Sequence, residues 1–193
     1  MTDPSTALRA LTLGRLQAVP AVQRPDLLAA PVLAALEELV RHPDVQRVGV
    51  APIDADLSDT AAFTAAYAVA PEASANCVIV AGRRDGDERI AACVVLATTR
   101  ADVNGVVRRL LDVRKCSFLP MDEAVTRTGM EYGGITPVGL PGDWRVLIDG
   151  RVARADAVVV GSGVRRSKLV LSGSLLAALP RAEVVEDLAT PVG

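Results

Sequence analysis

Two apolar stretches joined by a short charged connection constrain the fold of this 193-residue chain more than any other feature. The stretches are residues 77–81 and 90–97, and the connection over residues 83–89 contains the pair Asp85-Gly86. An Asp-Gly pair favours the tight turn whose twist matches that of two antiparallel strands. The middle of the chain therefore predicts a β-hairpin, and its strands are apolar enough to be buried on both faces.

Shorter patterns on both sides of the hairpin predict a mixture of helices and strands. Helices are predicted over residues 7–19, from Asp26 or Pro31 to about residue 41, after caps at Ser58 and Asp102, from Pro120 to Gly129, and over residues 174–179. Further strands are predicted over residues 45–53, 116–119, 146–148, 157–160 and 169–171. Because strands outnumber the intervening helices and tight turns join several of them, a mixed sheet is favoured over a doubly wound parallel one.

Composition and charge exclude several classes of protein. Half of the residues are hydrophobic, but the longest apolar run, residues 90–97, is far shorter than the roughly 20 residues that a membrane-spanning helix needs. The first residues show no basic segment followed by an apolar one, so no secretory signal is predicted and a cytoplasmic location is expected. A net charge of −2 disfavours indiscriminate coating of nucleic acid, which requires many phosphates to be neutralised.

Neither a metal site nor a nucleophilic triad is expected from the residue types present. Three cysteines lie in apolar segments without CxxC spacing and are interpreted as small buried side chains: Cys77, Cys93 and Cys116. His42 is the sole histidine, has no second ligand at metal-site spacing, and is explained by a helix end beside Pro43. Asp54 and Asp56 alternate in a loop, where turn formation is favoured over cation binding.

A glycine-rich segment over residues 129–139, GMEYGGITPVG, is a candidate binding loop. Glycine lets consecutive backbone N–H groups face a ligand oxygen, and Pro137 holds the loop so that these donors need not reorganise. Such a loop can hold an ester carbonyl or a ribose. A tight turn between a helix and a strand explains the same composition, so the residues alone leave both interpretations open.

A second glycine cluster, Gly161-Ser162-Gly163, follows an apolar strand. It lacks the third glycine of a dinucleotide-binding fingerprint, and too little chain follows it to build the required βαβ unit. Basic side chains come after this cluster and at the end of the helix predicted after Asp102: Arg165, Arg166 and Lys168, and Arg108, Arg109, Arg114 and Lys115. These side chains suit phosphate contacts, with a solvated cationic surface as the alternative.

Taken in order, several motifs resemble the YbaK/EbsC family, whose members include domains associated with prolyl-tRNA synthetase. The motifs are ANCVIV over residues 75–80, Lys115 before a strand, Thr128-Gly129 followed by GGITPVG over 133–139, and the second glycine cluster. The resemblance implies an α/β fold with a curved mixed, partly barrel-like sheet flanked by helices. It predicts a YbaK-like editing domain over residues 45–180, between an N-terminal helical extension over 1–44 and a C-terminal tail over 181–193.

The same resemblance implies an activity. Family members hydrolyse the ester that joins a wrong, usually small, amino acid to the 3′ end of tRNA, and a chain of this size resembles the free-standing members. The implied catalytic positions are Asn76, Gly133, Gly134, Thr136 and Pro137. The implied substrate-binding positions are Lys115, Ile135, Gly161, Ser162, Gly163, Arg165 and Lys168. The implied partner is the acceptor end of aminoacyl-tRNA, with no metal, organic cofactor or membrane, and a homodimer is left open.

One position departs from the family pattern, because members with editing chemistry carry a lysine where this chain has Asn76. An amide donates hydrogen bonds but carries no charge, and losing a charge-assisted contact costs about 1.5 to 3 kcal/mol, or roughly 10- to 150-fold in rate. Two hypotheses follow. Either the protein is a deacylase in which Lys168 or Arg165 supplies the charge, or it binds aminoacyl-tRNA or an aminoacyl-adenosine-like ligand without hydrolysing it.

Overall fold

The central hairpin predicted from the sequence is confirmed. A computed structural model describes residues 13–39 and 45–192, and in it β3, Ala75–Arg84, pairs antiparallel with β4, Asp87–Leu96. Asp85 and Gly86 between them have φ values of 53° and 93°, as a two-residue turn of this type requires. Residues 90–96 of β4 are all buried, whereas β3 has a mixture of buried and half-buried positions and ends in two exposed residues. The prediction that the strands are buried on both faces is therefore correct for β4 and only partly correct for β3.

The hairpin forms the centre of a five-stranded sheet in the order β10-β7-β4-β3-β6. Its other strands are β6, Cys116–Phe118, β7, Arg145–Asp149, and β10, Ala182–Val185. β7 runs parallel to β4 and β10 runs parallel to β7, whereas β6 is antiparallel to β3. The sheet is therefore mixed, as predicted, and the segment predicted as a C-terminal tail contributes an edge strand to it.

A second sheet is antiparallel throughout and has the order β1-β2-β9-β8. Its strands are β1, Val19–Pro20, β2, Gly49–Pro52, β8, Val158–Gly161, and β9, Ser167–Leu171. A two-stranded sheet pairs β5, Thr99–Ala101, with β11, Ala189–Pro191. The α/β class with a mixed sheet is confirmed, and within the described residues each of these sheets stays open rather than closing into a barrel.

The helices flank these sheets. They are α1, Ala30–Glu38, α2, Thr60–Tyr67, a π-helical turn over Val103–Val107 that continues as α3, Arg108–Leu110, then α4, Met121–Thr128, α5, Gly150–Ala153, and α6, Gly173–Ala177. Among residues 13–39 and 45–192, none of the helices is long and apolar enough to span a bilayer.

The sequence identified the N-terminal cap of one helix correctly and misplaced that of another helix by one residue. The predicted Asp102 cap is confirmed, since its carboxylate accepts hydrogen bonds from the N–H groups of Gly105 and Val106. The predicted cap of α2 was displaced by one residue. Asp59 rather than Ser58 accepts from the N–H of Ala61, because the carboxylate residue is the one directly before the first helical turn.

The helix predicted over residues 7–19 is wrong for the part that the structure describes, residues 13–19. Gly14 takes the left-handed conformation with φ of 58°, and the N–H of Arg15 donates to the carbonyl of Tyr67 at 2.7 Å instead of joining a helical ladder. The segment then ends in β1. Residues 7–12 and His42 lie outside the described residues.

The largest apolar cluster lies between the two main sheets and α1. Val32 and Leu36 of α1 pack there with Val50 and Leu169 of the antiparallel sheet and with Ile148 of the mixed sheet. All five side chains are essentially excluded from solvent. Burial of this kind stabilises by about 1.5 to 3 kcal/mol per large aliphatic side chain, so the sheets and α1 hold each other in place.

Candidate active site

A cleft of about 420 Å³ opens beside the first residues of β3. Its walls also include the start of α2, the glycine-rich loop and the β8–β9 hairpin. Six positions predicted as site residues line it: Asn76, Gly133, Ile135, Gly161, Arg165 and Lys168. Segments more than 90 residues apart in sequence thus meet at one cavity, which makes this cleft the candidate active site.

The remaining predicted site positions are not part of this lining. Thr136 is fully buried, and its hydroxyl has no hydrogen-bond partner among the described residues. Pro137 lines a neighbouring apolar cleft together with Pro31 and Trp144. Lys115 is exposed in a separate depression beside β6. These three residues are therefore not part of the cleft wall, although Thr136 and Pro137 directly follow Ile135 in the chain.

The two glycine clusters noted in the sequence pack directly against each other. The N–H of Gly163 donates to the carbonyl of Gly134 at 2.8 Å, and the N–H of Glu131 donates to the carbonyl of Gly163 at 2.8 Å. A Cβ atom on Gly161 would lie 2.3 Å from the Gly134 carbonyl oxygen, a distance that no side chain could occupy without moving the backbone. Glycine is required here because two backbones are in contact.

Ser162 holds the second cluster from the inside. Its hydroxyl is fully buried, lies 2.7 Å from the hydroxyl of Ser167 and donates to the Ser167 carbonyl at 3.0 Å. Ser167 in turn donates to the carbonyl of Leu27. These bonds satisfy buried polar atoms, so Ser162 supports the turn that precedes Arg165 rather than contacting the cleft.

Asn76 presents its amide to the cleft in a fixed orientation. Its Oδ1 accepts a hydrogen bond of 2.6 Å from Oγ1 of Thr60, the first residue of α2. With the oxygen engaged in this way, Nδ2 is the end of the amide that remains for a ligand, since it has no protein acceptor among the described residues. Thr60 was not identified from the sequence, because no local pattern connects position 60 to position 76.

Lys168 places an almost fully buried positive charge at the cleft. Its side chain leaves β9 and is 8% exposed, and Nζ donates to the Ser58 carbonyl at 3.0 Å and lies 5.4 Å from the centre of the Phe63 ring. Burial lowers the pKa of Lys168 to about 8, and the charge of Arg165 acts in the same direction while that of Asp59 opposes it. At neutral pH the group is mainly an ammonium ion.

Arg165 closes one side of the cleft. Its guanidinium donates to the carbonyls of Tyr132 at 3.2 Å and Ala55 at 3.1 Å, and its backbone N–H donates to the Glu131 carboxylate at 2.6 Å. These bonds connect the glycine-rich loop to the segment that precedes α2. Arg165 thus contributes positive charge and also fixes the relative position of two walls.

Cys77 lines the cleft next to Asn76, but its side chain packs against the core and its thiol is a neutral group. Burial raises the pKa of Cys77 far above its ordinary range, and the neighbouring Cys93 thiol acts in the same direction. A thiol is a good nucleophile only as the thiolate. In the part of the chain that the structure describes, no three His, Cys, Asp or Glu side chains are grouped so that they could hold a metal ion.

The cleft lies in the part of the chain that matches a known protein family. A family profile described as the aminoacyl-tRNA editing domain matches residues 54–179, which include every residue of the cleft lining. Among curated proteins, none matches this chain.

Two solved structures show the same fold at low sequence identity. One, described as a candidate trans-editing enzyme for prolyl tRNA synthetase, has a TM-score of 0.68 and 21% identity, with 82% of this chain and 94% of that chain covered. The other, hypothetical protein APE2540, has a TM-score of 0.61 and 23% identity, with 72% and 86% covered. With the family profile matching more than half of its length, this chain belongs to the aminoacyl-tRNA editing domain family.

Proposed function

We propose that this protein is a free-standing deacylase that hydrolyses the ester of mischarged aminoacyl-tRNA. Family membership supports the reaction and the substrate class. The observation that carries the proposal is the cleft itself, where the amide of Asn76, the glycine-rich loop and the ammonium of Lys168 share one cavity of about 420 Å³.

The glycine-rich loop offers the donors that ester hydrolysis needs. Gly133 and Ile135 line the cleft, and their backbone N–H groups have no acceptor within the described residues. When water attacks the ester carbon, the carbonyl oxygen becomes an oxyanion, and preorganised N–H donors stabilise it. The bond to the ribose oxygen then breaks, and that oxygen takes up the proton that the attacking water gives up, which releases the free amino acid and the tRNA end.

Water rather than a protein side chain is the proposed nucleophile. Cys77 is held as a neutral thiol. Asn76 orients the substrate through Nδ2, and Thr60 holds the amide in place from the other side. In this arrangement the protein contributes positioning and electrostatic stabilisation rather than covalent catalysis.

A small amino acid is the proposed cargo. The cavity must receive the terminal ribose as well as the aminoacyl group, and about 420 Å³ leaves little room for a bulky side chain. Ile135, Cys77 and Val78 supply apolar wall beside the loop. An apolar wall of this kind suits alanine or a similarly small side chain.

A second candidate function is binding of the same ligand without hydrolysis. The neutral amide of Asn76 favours it, because a strand position that carries a cation in active relatives here carries none. The two candidates predict the same ligand and differ only in turnover.

Deacylation of a panel of mischarged tRNAs by the purified protein tests the proposal. We expect hydrolysis above the uncatalysed rate for tRNAs that carry small amino acids. Gly133→Val should abolish it, because Gly133 has φ of 82° and an added Cβ would lie 3.0 Å from the Arg165 guanidinium. Gly142→Ala is the matched control, since nothing lies within 4 Å of its added Cβ.

The outcomes separate the candidates. Hydrolysis by the wild type and by Gly142→Ala but not by Gly133→Val supports the deacylase. No turnover on any member of the panel, together with retained binding of the uncharged tRNA end, leaves only the binding protein. Loss of both would reject the cleft as the functional site.

A further inference from the structure

Two cationic side chains reach the cleft without a carboxylate partner. Within the described residues, no carboxylate lies within ion-pairing distance of Nζ of Lys168 or of the Arg165 guanidinium. Both groups donate only to backbone carbonyls there. A buried cation that is not paired within the protein is ordinarily retained to meet an anion from outside.

We propose that Lys168 and Arg165 form a subsite for the last phosphodiester of the tRNA end, and that Lys168 supplies from β9 the positive charge that Asn76 does not supply from β3. This inference rests on the proposed function, in which the 3′ end of tRNA enters the cleft. It assigns the charge to a different strand, in a different sheet, from the one that carries it in the active relatives.

Two contacts position the Lys168 ammonium so that it can bind an anion. The Ser58 carbonyl uses one of its three N–H donors, and the Phe63 ring lies against it, so the remaining donors need no large rearrangement to meet a phosphate oxygen. The guanidinium of Arg165 adds a second cation on the same wall. Two cations and one amide donor converge on this cavity, so charge-assisted hydrogen bonds are available to the single negative charge of a phosphodiester, and the amide is available to the neutral ester.

The groups that face Lys168 also set how its charge responds to pH. Asp59 acts on it from the start of α2 and Arg165 from the β8–β9 turn, with opposite sign. Cys77, a neutral thiol on β3, and Tyr132 of the glycine-rich loop line the same cleft. Because the pKa of Lys168 is lowered to about 8, the ammonium is lost as the pH rises through that value. A bound phosphodiester favours the charged form, so affinity should fall above about pH 8 and binding should take up protons.

An uncharged acceptor-stem RNA tests the subsite without requiring hydrolysis. One RNA has its natural 3′ extension, and the other has a neutral methylphosphonate at the last linkage. We expect the wild type to bind the neutral RNA at least about tenfold more weakly, which is the loss typical of one charge-assisted contact. Lys168→Met should bind the natural RNA more weakly and should lose most of the discrimination, with Arg165 responsible for what remains. Arg83→Met, which removes an exposed cation outside the cleft, should keep the full discrimination.

A double variant that moves the positive charge from β9 to β3 is the decisive test. Asn76→Lys combined with Lys168→Met should recover discrimination between the two RNAs, which a purely structural role of Lys168 would not allow. Thermal unfolding of each variant confirms that it is folded.

The subsite is overturned if the wild type binds both RNAs equally or neither, or if Lys168→Met discriminates as well as the wild type. If the wild type discriminates but hydrolyses no mischarged tRNA, the subsite stands and the deacylase proposal fails.

Discussion

The two halves of the glycine-rich loop face different surroundings. Gly133 and Ile135 line the polar cleft with Asn76, whereas Pro137 and Gly139 line an apolar cleft of about 580 Å³ against α1. The motif is continuous in sequence, but in the proposed function the cleft side of its first half faces a ligand, whereas its second half packs on the core. Gly134 belongs to the first half but packs against Val164 and the second glycine cluster.

This difference separates effects on activity from effects on folding. A change that fills the cleft side of the first half should lower turnover by more than the accompanying loss of stability accounts for. A change in the second half should do the reverse, because the backbone there is in contact with the protein rather than with a ligand.

The largest expected effect is on stability, from Gly139→Ala. Gly139 has φ of 82°, and an added Cβ would lie 2.3 Å from the Pro31 carbonyl oxygen. Left-handed strain and a contact that the backbone must move to relieve should together lower the free energy of unfolding by about 2 to 4 kcal/mol. Urea denaturation measures this change, with Gly142→Ala as the control. A variant as stable as the wild type would show that the second half is not packed as described.

Lys168→Met should make the protein more stable while it weakens binding. Burial lowers the pKa of Lys168 from 10.5 to about 8, a difference that corresponds to roughly 3 kcal/mol against the charged form. Loss of the bond to the Ser58 carbonyl and of the Phe63 contact offsets part of this. We expect a net gain of about 1 to 2 kcal/mol at pH 7 in urea denaturation.

The stability difference between Lys168→Met and the wild type should depend on pH. Between about pH 8 and 10.5 the unfolded wild type holds the Lys168 proton and the folded state does not, so stability of the wild type rises with pH. The advantage of Lys168→Met should therefore be full below about pH 8 and shrink toward pH 10.5. An advantage that does not change over this range would indicate that the pKa of Lys168 is not lowered.

Local signals in the sequence predicted much of the fold. The Asp85-Gly86 turn, the Asp102 cap and the left-handed Gly129 at the end of α4 each depend on a few neighbouring residues, and each is found. The edge strand β10 was missed, because its pairing with β7 is parallel and non-local, and half-exposed residues give it no apolar pattern.

The candidate site was predicted only in part, because it too depends on contacts between segments that are distant in sequence. The sequence indicated which strands and loops carry polar groups, but which side of a loop a side chain occupies depends on packing with distant segments. Thr136 is buried whereas its neighbour Ile135 borders the cleft, and Thr60 meets Asn76 only because α2 packs beside β3. Such contacts are set by tertiary structure and leave no periodic signal.

A moderate effect on activity is expected from Thr60→Val. The change removes the donor that holds Oδ1 of Asn76, so the amide can rotate and Nδ2 is no longer fixed toward the cleft. One neutral hydrogen bond contributes about 0.5 to 1.5 kcal/mol, so kcat/KM for deacylation should fall roughly 2- to 10-fold. Thr64→Val is the matched control, because the Thr64 hydroxyl bonds only to carbonyls of α2. Equal losses in both variants would mean that the helix, not the amide, is affected.

The smallest expected effect is from Thr136→Val, which bears on the division within the loop most directly. The Thr136 hydroxyl is buried without a partner among the described residues, so a methyl group of similar size removes an unsatisfied polar atom and fills the same space. We expect the free energy of unfolding to stay the same or to rise by up to about 1 kcal/mol, with deacylation within twofold of the wild type. Steady-state kinetics and urea denaturation measure the two quantities. A large loss of kcat at unchanged stability would instead give the Thr136 hydroxyl a role in the reaction and would extend the functional half of the loop beyond Ile135.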